Sequence, residues 1–138
     1  MSVSKNRYQA ERWLLTAKED MEAAQVLLER GMYAHACFLF QQSGEKAVKA
    51  LWYFADEDPW GHSIKRLLSE FPHRDRIENV DDWLEWAAFL DQFYIPTRYP
   101  NGLPDLTPGQ VYSKEDAERC REAAHRLVAA CEQWLRAQ

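Results

Sequence analysis

Residues 91–100 read DQFYIPTRYP, with Arg98 set between Thr97 and Tyr99 and between two prolines. Each proline fixes its own φ and restrains the residue before it, so this guanidinium rides on a stiffened backbone. An arginine held beside aromatic rings suits recognition of phosphate or carboxylate, and Tyr99 is placed to stack on a base. The internal alternative is that Arg98 pairs with an acid such as Asp91 and locks its loop to the rest of the chain. A second set is the polar row Gln42, Glu45, Lys46 and Lys49, at offsets of three, four and seven. Glu45 and Lys49 stand four apart in the order that favours an ion pair. The commoner origin of such a row is an ordinary solvated face, where the pair contributes little. The alternative is a polar strip lining a cleft or interface, and Gly44 would let something approach that face closely.

The histidines are few. His62 precedes a helix start, where imidazole can bond free backbone groups, so capping stands beside a role in orienting a ligand. His35 falls in an apolar hairpin and reads as a core or interface residue. His125 lies near Arg119 and Arg121. Residues 62–76 carry Lys65, Arg66, Arg74 and Arg76 with His62 and His73, and only Glu70 and Asp75 oppose them. That asymmetry either attracts phosphate or balances the acids of the stretch that follows.

Helices must position these groups. Trp13, Ala17, Met21, Ala24 and Leu28 recur at steps of three and four, predicting a first helix from about Arg7 to Arg30, ended by Gly31. A second, from Tyr33 to Phe54, follows so closely that the two form an antiparallel hairpin. It is apolar nearly all round, which marks a central, buried helix. DEDPWGH breaks it. A short helix begins at Ser63 and stops at Pro72, and Asn79 can cap another bearing Trp83, Ala87, Leu90 and Tyr94. The segment from Ile95 to Tyr112 holds four of the six prolines and reads as a long structureless loop. SKED then opens a last helix as a capping-box variant. The expected fold is all-α: an up-and-down bundle of four to five helices, residues 1–138 forming one domain.

Composition sets further bounds. A formal charge of −5 argues against gripping nucleic acid through the whole surface. Cys37, Cys120 and Cys131 form no CxxC pair and read as core residues in a reducing cytoplasm. The N-terminus lacks a secretion signal, and no run is apolar enough to span a membrane, so a cytoplasmic location is expected. No metal-ligand spacing, phosphate-cradling glycine loop or nucleophile elbow is found, so no metal or cofactor is expected and side chains must do any nucleotide handling. The apolar surplus of the second helix and the face near Trp83 and Trp86 are candidate dimer surfaces.

Four stretches in order, WLLTAKEDMEAAQVLLERGMYAHACFLFQQSGEKAVKALW, GHSIKRLL, LDQFYIPTRYP and VYSKEDAERCREAAHRLV, resemble the stand-alone prokaryotic members of the HEPN family, the higher eukaryotes and prokaryotes nucleotide-binding domains. The resemblance implies a bundle of four or five helices that pairs as a homodimer. It also implies a nucleotide or RNA ligand and, in many members, a minimal nucleotidyltransferase partner in a toxin–antitoxin-like module. On that reading Arg98 contacts phosphate, Lys49 assists, Tyr99 stacks on a base, and Thr97, Glu45 and His62 complete the cleft. Other members are metal-independent ribonucleases using an Arg-x4–6-His motif across the dimer. Arg30–His35, Arg66–His73 and Arg119–His125 fit that spacing here. Arg119 and His125 are the best-placed pair, although six helical steps set them about 120° apart. Cys120 follows Arg119, where the motif commonly has a polar residue, and no Tyr follows His125. A purely structural dimerisation module is the third reading.

Overall fold

The structure, a computed structural model, describes residues 3–138. Its helices are α1 (Val3–Glu29), α2 (Tyr33–Phe54), α3 (Ile64–Glu70), α4 (Val80–Asp91), α5 (Pro108–Val111) and α6 (Lys114–Arg136). This is the expected all-α bundle, with α5 only one turn long.

α1 and α2 form the predicted hairpin. Gly31 adopts φ 78°, and the amides of Gly31 and Met32 donate to the carbonyls of Leu28 and Leu27 at 3.0 and 2.8 Å. The chain thereby closes α1 and reverses at once, a turn that a Cβ would strain. α2 is the central helix: it packs against α1, α3, α4, α5 and α6. Its Cys37, Phe40, Ala47, Val48 and Leu51 are completely buried, which accounts for an apolar content too high for one amphipathic face. Most of the apolar surplus of α2 is therefore spent within the chain, with Tyr33, Leu39, Trp52 and Phe54 left partly buried at its edge. Trp83 likewise belongs to the core, whereas Trp86 is half-buried against it.

Gly44 serves that same core. A Cβ there would lie 2.8 Å from Leu90 Cδ1, 3.2 Å from Ile64 Cδ1 and 3.3 Å from Leu127 Cδ2. The close approach expected at Gly44 comes from α3, α4 and α6, not from a ligand.

Two further expectations change. The segment 95–112 is not structureless: a 3₁₀ turn covers Pro100–Gly102, and α5 carries a capping box between Thr107 and Gln110. Both short elements begin at a proline, where the missing amide costs no hydrogen bond. Asn79 stands at the N-cap of α4 but makes no side-chain cap bond. Ser113 and Asp116 do form the box expected at α6. No helix is long and apolar enough to cross a membrane among the described residues.

Candidate functional site

The polar row of α2 is not a solvated face. Glu45 is 3% exposed, and its carboxylate accepts from Gln41 Nε2 at 3.2 Å through Oε1. Through Oε2 it meets Lys49 Nζ at 3.0 Å and His62 Nδ1 at 3.2 Å. The operative row is Gln41, Glu45 and Lys49, at steps of four on one face of the helix. Lys46 points elsewhere, to Asp20 of α1 at 2.7 Å. Gln42 Nε2 donates to Gln41 Oε1 at 2.9 Å, so the amide of Gln41 is oriented from behind. A carboxylate taken out of water to this degree is tolerable because three donors converge on it.

His62 reaches the row from the connection between α2 and α3. Gly61, with φ 91°, turns the backbone just before it, and Gln41 Nε2 holds the His62 carbonyl at 3.4 Å. A carboxylate can only accept, so Nδ1 carries the proton in this contact and Nε2 is left for other partners. The His62 side chain remains 56% exposed. Its expected capping role falls to others. Ser63 Oγ accepts from the Arg66 amide at 3.1 Å. Asp91 accepts from the Ile64 and Lys65 amides at 2.7 and 3.1 Å and from Ser63 Oγ at 2.8 Å. A carboxylate at the start of α3 lies where the helix dipole favours it.

Asp91 is thus committed to α3 and does not pair with Arg98. The guanidinium of Arg98 lies 4.4 Å from the ring centroids of Phe38 and Tyr94 and 5.2 Å from that of Tyr99. Its Nε donates to the Tyr94 carbonyl at 2.9 Å, and no acid pairs with it among the described residues. Thr97 is buried, and its hydroxyl donates to the Phe93 carbonyl at 2.6 Å, so it braces the turn from inside. Tyr99 is 51% exposed beside it.

Tyr94 joins the two halves. Its ring stacks on the imidazole of His62, with centroids 4.6 Å apart and planes 18° apart, while it also carries Arg98. The site therefore comprises an exposed arginine on three aromatic rings, a half-exposed imidazole, and a lysine beneath them whose side chain is only 12% exposed. Five of the six expected ligand-site residues converge here, and Thr97 supports from below. The expectation omitted Phe38, Gln41 and Tyr94. Gln41 and Phe38 were hidden in the apolar run of α2. Tyr94 was assigned to the apolar stripe of α4, although α4 ends at Asp91. Its spacing of four from Arg98 was the available signal.

Arg119 and His125 lie apart from this cluster and from each other. Arg119 sits 4.7 Å over the Phe89 ring in the groove between α4 and α6, with Glu85 and Trp86. His125 lines the groove between α1 and α6, with Lys18, Met21 and Gln25. Within one chain the pair does not share a site. His35 is exposed, so of the two readings given for it the core one falls. In the basic segment Arg66 pairs with Glu70 at 3.2 Å, and Arg74 Nη1 donates to the Ser69 carbonyl at 3.3 Å.

Comparison with known proteins adds a family. The HEPN domain profile matches residues 10–134. A protein of Methanocaldococcus jannaschii named "Putative toxin MJ1304" is 29% identical over 136 residues, covering 92% of this chain and 88% of that one. The crystal structure of TT1696 from Thermus thermophilus superposes with a TM-score of 0.86 at 37% identity, covering 91% of this chain and 97% of that one. That of ST0689, described as an archaeal HEPN homologue, gives 0.77 at 36% identity, covering 92% and 98%.

Proposed function

The chain belongs to the HEPN domain family, and from that membership we propose that it is a cytoplasmic homodimer that binds a nucleotide or RNA phosphate at the Arg98 cleft and works with a minimal nucleotidyltransferase partner. The observation that carries this reading is the state of Arg98. Its guanidinium is exposed, oriented by the Phe38 and Tyr94 rings and by the Tyr94 carbonyl, and unpaired with any acid among the described residues. Held in this way, an arginine loses little rotamer entropy when its remaining N–H groups engage phosphate oxygens. Tyr99 offers a half-exposed ring for a base, and Lys49 adds positive charge below. Glu45 and Thr97 work from inside, the first anchoring Lys49 and His62 and the second holding the turn. The toxin name of the M. jannaschii relative agrees with a place in a toxin–antitoxin-like module.

The test is equilibrium binding of a fluorescent nucleoside triphosphate and of a short RNA, with Arg98→Ala beside the wild type. Loss of a charge-assisted contact worth about 1.5–3 kcal/mol lowers affinity roughly ten- to a hundredfold. Equal affinity for the two proteins sinks the cleft. RNA cleavage in excess chelator that disappears in His125→Ala would instead establish the ribonuclease reading.

A further inference from the structure

We propose that Trp60 is a second base-stacking position beside the Arg98 cleft, so that the site takes two successive nucleotides of a single RNA strand and not one nucleotide alone. This rests on the proposed nucleotide site and names the length of ligand that fits it. Trp60 is 85% exposed, more than any other large apolar side chain described. The other five tryptophans are buried or half-buried. A ring left in water contributes little to the fold, and a flat ligand that covers it gains most. Pro59 fixes the backbone before Trp60, and Gly61, with φ 91°, turns the chain after it.

The path of the chain brings Trp60 to the cleft. The Glu57 amide donates to the Trp52 carbonyl at 3.0 Å, and His62 meets Glu45 at 3.2 Å. Residues 57–62 therefore run back along α2, from the level of Trp52 to that of Glu45. Trp60 falls between the two, near the level of Lys49. Two residues span at most about 7 Å of chain, so the Trp60 backbone lies within that distance of His62.

With Trp60 included, rings and polar groups alternate across the site. Tyr99, 51% exposed, lies 5.2 Å from the Arg98 guanidinium. Arg98 and His62 lie 4.4 and 4.6 Å from the same Tyr94 ring centre, hence at most about 9 Å apart. The row runs Tyr99, Arg98, Tyr94, His62, Trp60, with an exposed ring at each end and polar groups between. Such interleaving suits a single strand, whose bases stack on rings while its backbone meets the polar groups. A nucleotide with its base on Tyr99 and its phosphate on Arg98 stops short of Trp60, and the next one reaches it. His62 Nε2 accepts while Nδ1 holds the proton, which suits a ribose hydroxyl between the two. Asp56, Glu57 and Asp58 are exposed just ahead of Trp60 and repel phosphate, so the second nucleotide offers Trp60 its base and not its backbone.

Calorimetric titration of the full chain with adenosine 5′-monophosphate and with the dinucleotide ApA tests this. Each ligand has one phosphate, so a gain for ApA comes from its second nucleoside. The wild type should bind ApA roughly tenfold more tightly than the monophosphate, the usual scale for one stacked base. Trp60→Ala should abolish that gain and leave the monophosphate unchanged, whereas Trp60→Phe, which keeps a ring, should retain most of it. The side chain is exposed, so neither variant threatens the fold. Arg98→Ala should weaken both ligands. If Trp60→Ala binds ApA as the wild type does, the second position is overturned, the Arg98 cleft stands, and Trp60 passes to a contact with another protein. Equal loss for both ligands in Trp60→Ala overturns it as well, because Trp60 then serves the first nucleotide. If Arg98→Ala weakens neither ligand, the cleft falls and this inference falls with it.

Discussion

The imidazole of His62 stacks on the ring of Tyr94 at 4.6 Å, and that ring also supports the guanidinium of Arg98 at 4.4 Å. The connection before α3 and the turn after α4 are therefore joined through one aromatic side chain. These contacts are made by the ring face and not by the hydroxyl, so the ring does the positioning. Tyr94→Phe should bind a fluorescent nucleotide as the wild type does. Tyr94→Leu loses an aromatic stack and a cation–π contact, together about 1–2.5 kcal/mol, and should weaken binding roughly tenfold. Equal loss in both variants would shift the role to the hydroxyl.

Glu45 has a structural consequence beyond the cleft. Glu45→Ala leaves Lys49 largely buried without its counter-ion, and removing one member of a buried pair costs about 3–5 kcal/mol. Glu45→Gln keeps an acceptor for Lys49 and should cost less. Replacing both Glu45 and Lys49 with methionine should recover most of the loss, since no charge then remains buried. Urea unfolding of the four proteins gives the comparison. A Glu45→Ala variant as stable as the wild type would mean that the row is solvated after all.

Asp91 bridges α4 to the start of α3 through three hydrogen bonds. Asp91→Ala should lower stability by about 1–2 kcal/mol, the usual effect of losing an N-terminal cap. It should also weaken nucleotide binding, because His62 lies one residue before the capped turn. Asp91→Asn, which still accepts hydrogen bonds, should retain more of both. Hydrogen exchange at the Ile64 and Lys65 amides is the direct measurement, and unchanged protection in Asp91→Ala would dismiss the cap.

Much of this arrangement was readable before the fold. Periodicity located α1, α2, α4 and α6 because each buries a stripe or, for α2, almost its whole circumference. Arg98 stood out because two prolines marked a rigid turn. What could not be read was the choice among partners brought together by folding. Glu45 looked solvated because local spacing does not reveal that α3 and its preceding connection cover it. Asp91 was offered to Arg98 because the two are close in sequence, but the unpaired amides of α3, far along the chain, held the stronger claim on it. Gly44 signalled a close approach correctly, and only packing could show that the approaching atoms belong to Leu90, Ile64 and Leu127.

Gly44→Ala gains about 1 kcal/mol of helix propensity. It also sets a methyl 2.8 Å from Leu90 Cδ1, in a place where Ile64 and Leu127 leave little room for retreat. Overpacking of this kind costs about 1–3 kcal/mol, so the net effect should be a modest loss of stability. Leu90→Val in the same chain should relieve part of it, and a double-mutant cycle measures that coupling. Additive effects would show that the core gives way without strain.

The buried cysteines predict the response to alkali. Burial pushes the Cys131 thiol well above its usual range, and burial with neighbouring Cys37 does the same to Cys120. The folded state therefore keeps these protons at a pH where the unfolded chain, with thiols near their ordinary value of about 8.5, releases them. Because the unfolded state then binds fewer protons, stability falls as pH rises. The contribution is fully present below about pH 8 and is lost progressively above about pH 8.5, with a slope of about 1.4 kcal/mol per unit for each thiol. Cys131→Ala should lower stability at neutral pH through the cavity it leaves, yet flatten the alkaline slope by one such increment. Unfolding in urea at a series of alkaline pH values compares the slopes. A variant whose stability falls as steeply as the wild type would mean that Cys131 ionises as readily folded as unfolded.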